Sequence, residues 1–310
     1  MLLSRVADNL YWGARYLERA EDTARVVRSF TEAQLDLPVG VANSWEPLLA
    51  VVGSHESFDR SHARATETDI VRFLVADPKN QGSIVASIAQ ARESLRTTRE
   101  VLPREAWQTV NDLHLYSERD GDSGVARRSR ARFLGRVIAD HQRLDGVLSG
   151  MMRRDQAYEM WRLGEALERA DMTTRVIGVR AAGLLARPDG NLAHDEVQWM
   201  GVLRSVTALQ MFQRATRGPI DGASAVHFLL HDEHFPRSIA GCLQRIRAAL
   251  GRLPRPERTL PVADAVDTLL ATVSADAADG GALDAAMDRV QLALGDLHDI
   301  VQQTFVRAAR

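Results

Sequence analysis

The sequence predicts an all-α protein, a helical bundle built from two tandem pseudo-symmetric repeats of about six helices each. Two observations carry this prediction. Apolar residues recur at three- and four-residue steps through nearly all 310 residues, which is the spacing of one helix face. Two segments also occur twice, about 150 residues apart and in the same order. No convincing alternation of apolar and polar residues indicates a strand.

The stronger repeat is a Glu-Arg segment. Residues 17–26 read Leu-Glu-Arg-Ala-Glu-Asp-Thr-Ala-Arg-Val, and residues 167–176 read Leu-Glu-Arg-Ala-Asp-Met-Thr-Thr-Arg-Val, with seven of ten positions identical. In the second repeat, residues 73–84 and 228–239 share Phe-Leu, Asp and Ser-Ile at matching positions. The period is far longer than the roughly 20–50 residues of solenoids. We therefore expect a duplicated unit, with repeat 1 in residues 1–150 and repeat 2 in residues 151–310.

Helix-breaking residues divide the chain into its elements. The first long helix begins near Leu3, and Pro103 marks the start of another. Residues 133–182 read as helix without a Pro-rich linker, so the two repeats are expected to share a core in a single domain over 1–310. The predicted loops are 37–40, 77–83, 120–124, 187–190, 218–222, 252–261 and 279–281.

Composition and charge exclude several classes of function. The chain is 45% apolar and 26% charged, with a formal net charge of −2. Nucleic-acid binders usually carry a concentrated basic face, so no nucleic-acid partner is expected. No apolar run approaches the roughly 18 residues of a membrane span. The single cysteine, Cys242, allows no intramolecular disulfide, and the N-terminus has no apolar signal core. We therefore expect a cytoplasmic protein.

Charged positions kept in both copies are the main candidates for a site. Three in each copy lie three and then four residues apart, along one strip of a helix: Glu18, Glu21 and Arg25, and Glu168, Asp171 and Arg175. Arg19 and Arg169 point about a quarter-turn away. The strip is interpreted either as salt bridges within and between the two helices, or as a polar pocket for an anionic or zwitterionic ligand, since Arg binds carboxylates bidentately.

Further candidates lie near the Glu-Arg segments. Tyr11, Trp12 and Arg15 lie one to two turns before Glu18, where the rings either fill the core or wall a pocket. Arg237 follows Phe-Pro at a predicted helix start, where it could serve an anion.

Metal and cofactor motifs give little support for a prosthetic group. His227, His231 and His234 step by four and three, which could place three imidazoles on zinc, but the repeat-matched positions 76 and 79 are Ala and Lys. The sequence holds no P-loop, dinucleotide-binding or nucleophile-elbow motif. We expect no metal and no cofactor.

Three segments resemble the bacterial alpha-E family, helical domains named for a Glu-Arg motif. Residues 1–25 are similar to the start of that family, residues 163–171 to its second Glu-Arg segment, and residues 235–238, Phe-Pro-Arg-Ser, to a downstream element. The resemblance covers essentially the whole chain. It implies an ATP-grasp ligase-like partner, often a transglutaminase-like cysteine peptidase nearby, and a setting of amide-bond formation on small peptides or amino-acid-derived molecules.

The resemblance and the missing nucleotide motifs lead to one expected function and two alternatives. The expected function is a helical partner or substrate-holding protein of an ATP-grasp amide (peptide) ligase system. The first alternative is a stand-alone enzyme that uses Glu18, Glu168, Arg19 and Arg169 for acid/base chemistry on an amino-acid or peptide substrate. The second is a structural bundle that dimerises. An open pocket holding a carboxyl group of raised pKa would favour the enzyme, and sealed, mutually paired charges would favour a structural motif.

Overall fold

The computed structural model describes residues 2–35, 44–62, 64–181, 192–274 and 280–307. Within these ranges the chain forms fourteen α-helices and no strand, which confirms the all-α prediction. The predicted loops at 37–40 and 187–190 lie outside the described residues. None of the helices in the described ranges is long and apolar enough to cross a membrane.

The helices divide evenly around a short break at residues 152–155. Those of the first half are α1 (Ser4–Leu35), α2 (Pro47–Val51), α3 (His55–Asp59), α4 (Glu67–Val75), α5 (Ile84–Arg96), α6 (Arg104–Asp120) and α7 (Arg127–Met151). Those of the second half are α8 (Gln156–Arg175, extended by a π-helical turn, Val176–Ala181), α9 (Leu192–Ser205), α10 (Leu209–Thr216), α11 (Gly222–His231), α12 (Ile239–Arg252), α13 (Pro256–Ala271) and α14 (Gly280–Phe305).

The helix count and two boundaries differ from the sequence prediction. Seven helices are described in each half rather than about six. In the first half, residues 44–62 form the two short helices α2 and α3, with Gly53 between them at φ +65°. The predicted continuous helix over 133–182 breaks at 152–155, where the Asp155 carboxylate caps α8. The predicted loop at 252–261 ends early, because α13 begins at Pro256 and includes Pro261.

Capping side chains explain where several helices begin. The Ser83 hydroxyl accepts from the Ala86 N–H at 3.1 Å to start α5, and the Ser238 hydroxyl accepts from the Gly241 N–H at 3.0 Å to start α12. Each serine also donates to a carbonyl six residues before it. The sequence match between residues 73–84 and 228–239 therefore has a counterpart in local structure.

Helices α1 and α8 lie side by side at the centre. They approach closely at Gly164, where a Cβ would lie 2.3 Å from the Tyr11 carbonyl oxygen. Helices α5 and α7 pack on α1, while α12 and α14 pack on α8. The buried apolar residues form one contiguous cluster from Val6 to Val301. This arrangement brings the two Glu-Arg segments, at positions 18–19 and 168–169, into contact.

Candidate functional site

The two Glu-Arg segments exchange partners between the central helices. Arg169 of α8 binds Glu18 of α1 bidentately, with Nε–Oε1 at 2.7 Å and Nη2–Oε2 at 2.8 Å. In the other direction, Arg19 Nε of α1 donates to Glu168 Oε1 of α8 at 2.6 Å. Each motif glutamate is thus bound by the motif arginine of the opposite helix.

The first group of charges, the Glu18 cluster, is sealed. All its members are buried: Glu18, Glu21, Asp22, His141, Glu165, Arg169 and Arg237. Arg237 Nη1 lies 2.9 Å from Glu18 Oε1 and the same guanidinium contacts Glu21 and Asp22. His141 Nε2 of α7 lies 3.4 Å from Glu18 Oε2. The cluster therefore ties together α1, α7, α8 and the turn that precedes α12.

Opposite pKa shifts within the Glu18 cluster show how its charge is balanced. Burial alone would raise the pKa of Glu18, but Arg169, Arg237 and His141 outweigh it and hold that pKa well below its usual range. Burial raises the pKa of Asp22 well above its usual value; Arg237 opposes this shift, but the charges on Glu18 and Glu21 reinforce it. Although Arg237 contacts all three carboxyl groups, Asp22 is thus the one that most readily keeps its proton.

The same cluster contains the best metal-like donor set of the described residues. Glu18, Glu21 and His141 place ligand atoms within 4.8 Å of one another. However, both Glu18 oxygens accept from Arg169, and Arg237 binds Glu18 and Glu21. The two guanidiniums already supply the positive charge at the position that a metal would need, so this donor set does not fit a metal.

The second group, the Glu168 cluster, consists of Tyr11, Arg15, Arg19, Glu168 and His298. Arg15 Nε donates to Glu168 Oε2 at 2.7 Å, opposite the Arg19 contact. Arg15 and Arg19 outweigh the effect of burial and lower the pKa of Glu168. Glu18, Glu168 and Arg169 are buried, while the Arg19 side chain is 27% exposed.

The hydrogen bonds of the Glu168 cluster define the state of His298. Burial raises the pKa of Tyr11 to about 12, so the phenol keeps its proton and donates to His298 Nδ1 at 2.8 Å. Arg15 Nη1, which is always a donor, lies 3.2 Å from the same nitrogen. Burial and Arg15 lower the pKa of His298. We infer a neutral imidazole with its proton on Nε2.

The Glu168 cluster borders an open cleft of about 760 Å³, here called the α14 cleft. Its polar walls come from α1, α8 and α14: Arg15, Asp171, Arg175, Asp288, Gln291, Asp296, His298 and Asp299. Asp171 and Arg175 pair at 3.0 Å. Asp288, Asp296 and Asp299 have no ion-pair partner among the described residues.

The remaining predicted candidates lie in different places. Trp12 packs its edge on His298, with ring centroids 5.3 Å apart, and carries Arg15 4.9 Å above its ring. Arg25 Nε donates to Glu21 at 2.6 Å, away from the α14 cleft. Arg237 binds carboxylates of its own chain in the Glu18 cluster rather than facing a free anion site.

The three clustered histidines line a separate open groove of about 950 Å³. The rings of His227 and His231 lie 5.1 Å apart, and His231 Nε2 lies 3.1 Å from the Val273 carbonyl oxygen. Together with His234 they do not bring three ligating atoms within 4.8 Å of one another.

Sequence reasoning missed His141 and His298. Both lie mid-helix on α7 and α14, each facing one copy of the Glu-Arg motif. The Asp-His pair at 140–141 and the Asp-Leu-His run at 296–298 are a weak signal that an alignment of these two helices could have found.

An all-α protein with reciprocal Glu-Arg pairs at its centre is the class that the fold and this site define. The chain belongs to the Alpha-E family, described as a predicted alpha-helical domain with a conserved ER motif, whose family model matches residues 2–306.

The chain is also similar to uncharacterized mycobacterial proteins. One, from Mycobacterium bovis, is 25% identical over 284 residues, covering 82% of this chain and 31% of the relative. Two from Mycobacterium tuberculosis strains match with the same coverage at 25% and 24% identity. The chain therefore spans about a third of the length of these relatives. No solved structure matches it.

Proposed function

We propose that this chain is the helical partner of an ATP-grasp amide ligase and holds the ligase's amino-acid or peptide substrate in the α14 cleft. The observation that carries the proposal is the contrast between the motif copies. The Glu18 copy is sealed, whereas the Glu168 copy borders an open polar cleft of about 760 Å³. Pockets of this size suit small molecules and short peptides.

Two further observations support a partner rather than an ATP-using enzyme. The sequence lacks a phosphate-cradling motif, so ATP chemistry would reside in the other protein. The mycobacterial relatives match this chain over only 31% of their length, so in them the domain is joined to much additional sequence. Because the proposed ligase would draw on cellular ATP, the proposal also places the chain in the cytoplasm.

The pKa shifts run against the stand-alone enzyme. A general acid or base works best when its pKa lies near the operating pH. The pKa values of Glu18 and Glu168 are lowered instead, each by bound guanidiniums. Asp22 has a raised pKa, but it is buried in the Glu18 cluster and lines none of the open clefts described above.

We also infer that the fold is a tandem duplication. Helix α1 packs on α5 and α7, and α8 packs on their counterparts α12 and α14. The matched caps Ser83 and Ser238 and the reciprocal Glu-Arg pairs support the same inference. An experimental structure in which residues 1–150 do not superpose on residues 151–310 would contradict it.

The functional proposal is tested by ATP turnover. The ATP-grasp protein from the same genome is assayed with amino acids and short peptides, with and without this chain, alongside gel filtration of the mixture. We expect co-elution and a changed rate of ATP turnover. Equal turnover together with no co-elution at micromolar concentrations would remove the partner role, and self-association without either effect would favour the dimerising bundle. A transglutaminase-like peptidase is a second candidate for the same co-elution.

A further inference from the structure

We propose that the α14 cleft binds short linear peptides by their free C-terminal carboxylate, at Arg15 and His298, with the peptide's ammonium end at Asp288, further along α14. This inference deepens the proposed substrate-holding function and rests on it. It names the end of the substrate that is recognised and the residues that recognise it.

Two unused donors mark the carboxylate end of the cleft. Arg15 donates from Nε to Glu168 and from Nη1 to Tyr11 and His298, and its Nη2 has no partner among the described residues. The lone pair of His298 Nδ1 is shared by two donors, so the ring proton is on Nε2, which has no partner among the described residues. Both residues line the cleft. Two adjacent N–H donors, one on a permanent cation, match the two oxygens of a carboxylate.

The donors are held in place before any ligand arrives. Glu168 fixes the Arg15 guanidinium at 2.7 Å, and the buried Tyr11 hydroxyl fixes His298 at 2.8 Å. Trp12 packs against both groups. A ligand therefore loses little binding free energy to the ordering of these side chains.

The acidic face of α14 disfavours a simple anion. Asp288 lies ten residues before His298 on α14, whereas Asp296 and Asp299 lie within two residues of His298, and none of the three has an ion-pair partner among the described residues. The three carboxylates together repel a purely anionic ligand, and Asp288 attracts an ammonium group at its end of the cleft. A zwitterion satisfies both ends of the cleft.

The length of the cleft indicates the size of the ligand. Asp288 and His298 are ten residues apart on α14, which corresponds to about 15 Å along the helix axis. An extended peptide spans at most about 3.3–3.6 Å per residue, so about four residues fit. Between the two ends lie Leu292, which is 72% exposed, and Gly295, beside which a Cβ would meet no atom within 4 Å.

The test is calorimetric titration of this chain alone with tetra-alanine, its C-terminal amide and its N-acetyl form. We expect the amide to bind at least about tenfold more weakly than the free acid, because charge-assisted hydrogen bonds to the carboxylate are lost. N-acetylation should weaken binding several-fold. Equal affinity of the acid and the amide, or no saturable binding at millimolar tetra-alanine, would overturn the proposal.

Two variants separate the cleft from the fold. Gly295→Phe fills the cleft without a clash within the bundle and should abolish binding, while Gly146→Phe, at a similarly open position on α7, should bind like wild type. His298→Asn keeps an acceptor for Tyr11 and Arg15 but removes the Nε2–H. It should weaken binding of the free acid and leave binding of the amide nearly unchanged. Unchanged binding by Gly295→Phe would place the peptide elsewhere and overturn the proposal.

The ligase assay distinguishes this inference from the proposed function. A chain that changes ligase turnover but does not bind tetra-alanine would overturn the peptide site and leave the partner role standing. A chain that binds tetra-alanine as expected but has no effect on the ligase would overturn the partner role instead.

Discussion

The two copies of the Glu-Arg motif have the same sequence and different surroundings. Glu18 is fully buried and bound by Arg169 and Arg237, which come from other elements. Glu168 is bound by Arg15 and Arg19 of α1, and Arg19 is 27% exposed. The position that matches Arg237 in the first repeat is Gly82. Each glutamate is thus bound by two guanidiniums, but both guanidiniums on Glu18 are buried, whereas Arg15 on Glu168 lines the α14 cleft and Arg19 is partly exposed.

The largest test of this comparison replaces the two motif arginines in turn. Arg169→Ala should destabilise the protein by about 3–5 kcal/mol, because it leaves Glu18 and Glu165 buried with fewer partners. Arg19→Ala should cost less than about 1 kcal/mol, since that pair is partly exposed and Glu168 keeps Arg15. Denaturant unfolding of both variants measures the difference, and equal losses would contradict the distinction between a sealed and an open copy.

The second test asks which carboxyl groups of the Glu18 cluster are ionised. Glu18→Gln should cost at least about 2 kcal/mol, because an ionised acceptor of charged donors is lost. Asp22→Asn should change stability by less than about 1 kcal/mol at acidic pH, because Asp22 keeps its proton there.

The sign of the pH dependence follows from the raised pKa of Asp22. The stability that Asp22 contributes is fully present below its pKa in the unfolded chain, near 3.8, and is lost as pH rises through its pKa in the folded protein. The Asp22→Asn variant should therefore become more stable relative to wild type as pH rises. Unfolding curves of both proteins from pH 4 to 8 provide the measurement. An Asp22→Asn variant that instead loses stability relative to wild type as pH rises would show that Asp22 is ionised.

A smaller effect is expected for the buried hydroxyl of the Glu168 cluster. Tyr11→Phe should cost about 0.5–1.5 kcal/mol through the lost hydrogen bond to His298. Tyr158 occupies the corresponding stretch of the second copy, and its hydroxyl has no hydrogen-bond partner among the described residues. Tyr158→Phe is therefore the matched control and should be nearly neutral. Thermal melts that rank the two variants in the reverse order would mean that the Tyr11–His298 contact adds nothing to stability.

The smallest effect concerns pH and His298. Its lowered pKa means that the unfolded chain binds a proton more readily, so stability is present above about pH 6.5 and is lost as pH falls below that value. Wild type should lose a little stability between pH 7 and 5.5, and His298→Asn should show a flatter profile there. Parallel profiles would indicate that other groups cause the decrease.

More of the fold than of the site could be predicted from the sequence. Periodicity and the breakers predicted the helices, and the repetition of residues 18–19 at 168–169 singled out the charges that meet at the centre. Helices α2 and α3 were missed because five-residue helices leave too few turns for a periodic pattern. Pro261 was interpreted as a loop residue because proline disfavours helix interiors, yet it lies within α13.

The site was harder to predict because its contacts span most of the chain. Tyr11 and His298 are 287 residues apart in sequence, and Glu18 and Arg237 are more than 200 apart. Which arginine seals which glutamate depends on how α7, α12 and α14 pack on the central pair. A local motif can indicate that Glu18 and Glu168 matter, but it does not show that only the Glu168 cluster borders an open cleft.

The most direct test of two roles for one motif is an arginine side-chain ¹⁵N–¹H NMR spectrum, recorded with and without tetra-alanine. We predict slowly exchanging Nε–H signals for Arg169 and Arg237 that do not move on addition of the peptide. The Arg15 signal should shift with saturation. A shift at Arg169 or Arg237, or none at Arg15, would contradict the assignment of a structural role to the Glu18 cluster and a binding role to the Glu168 cluster.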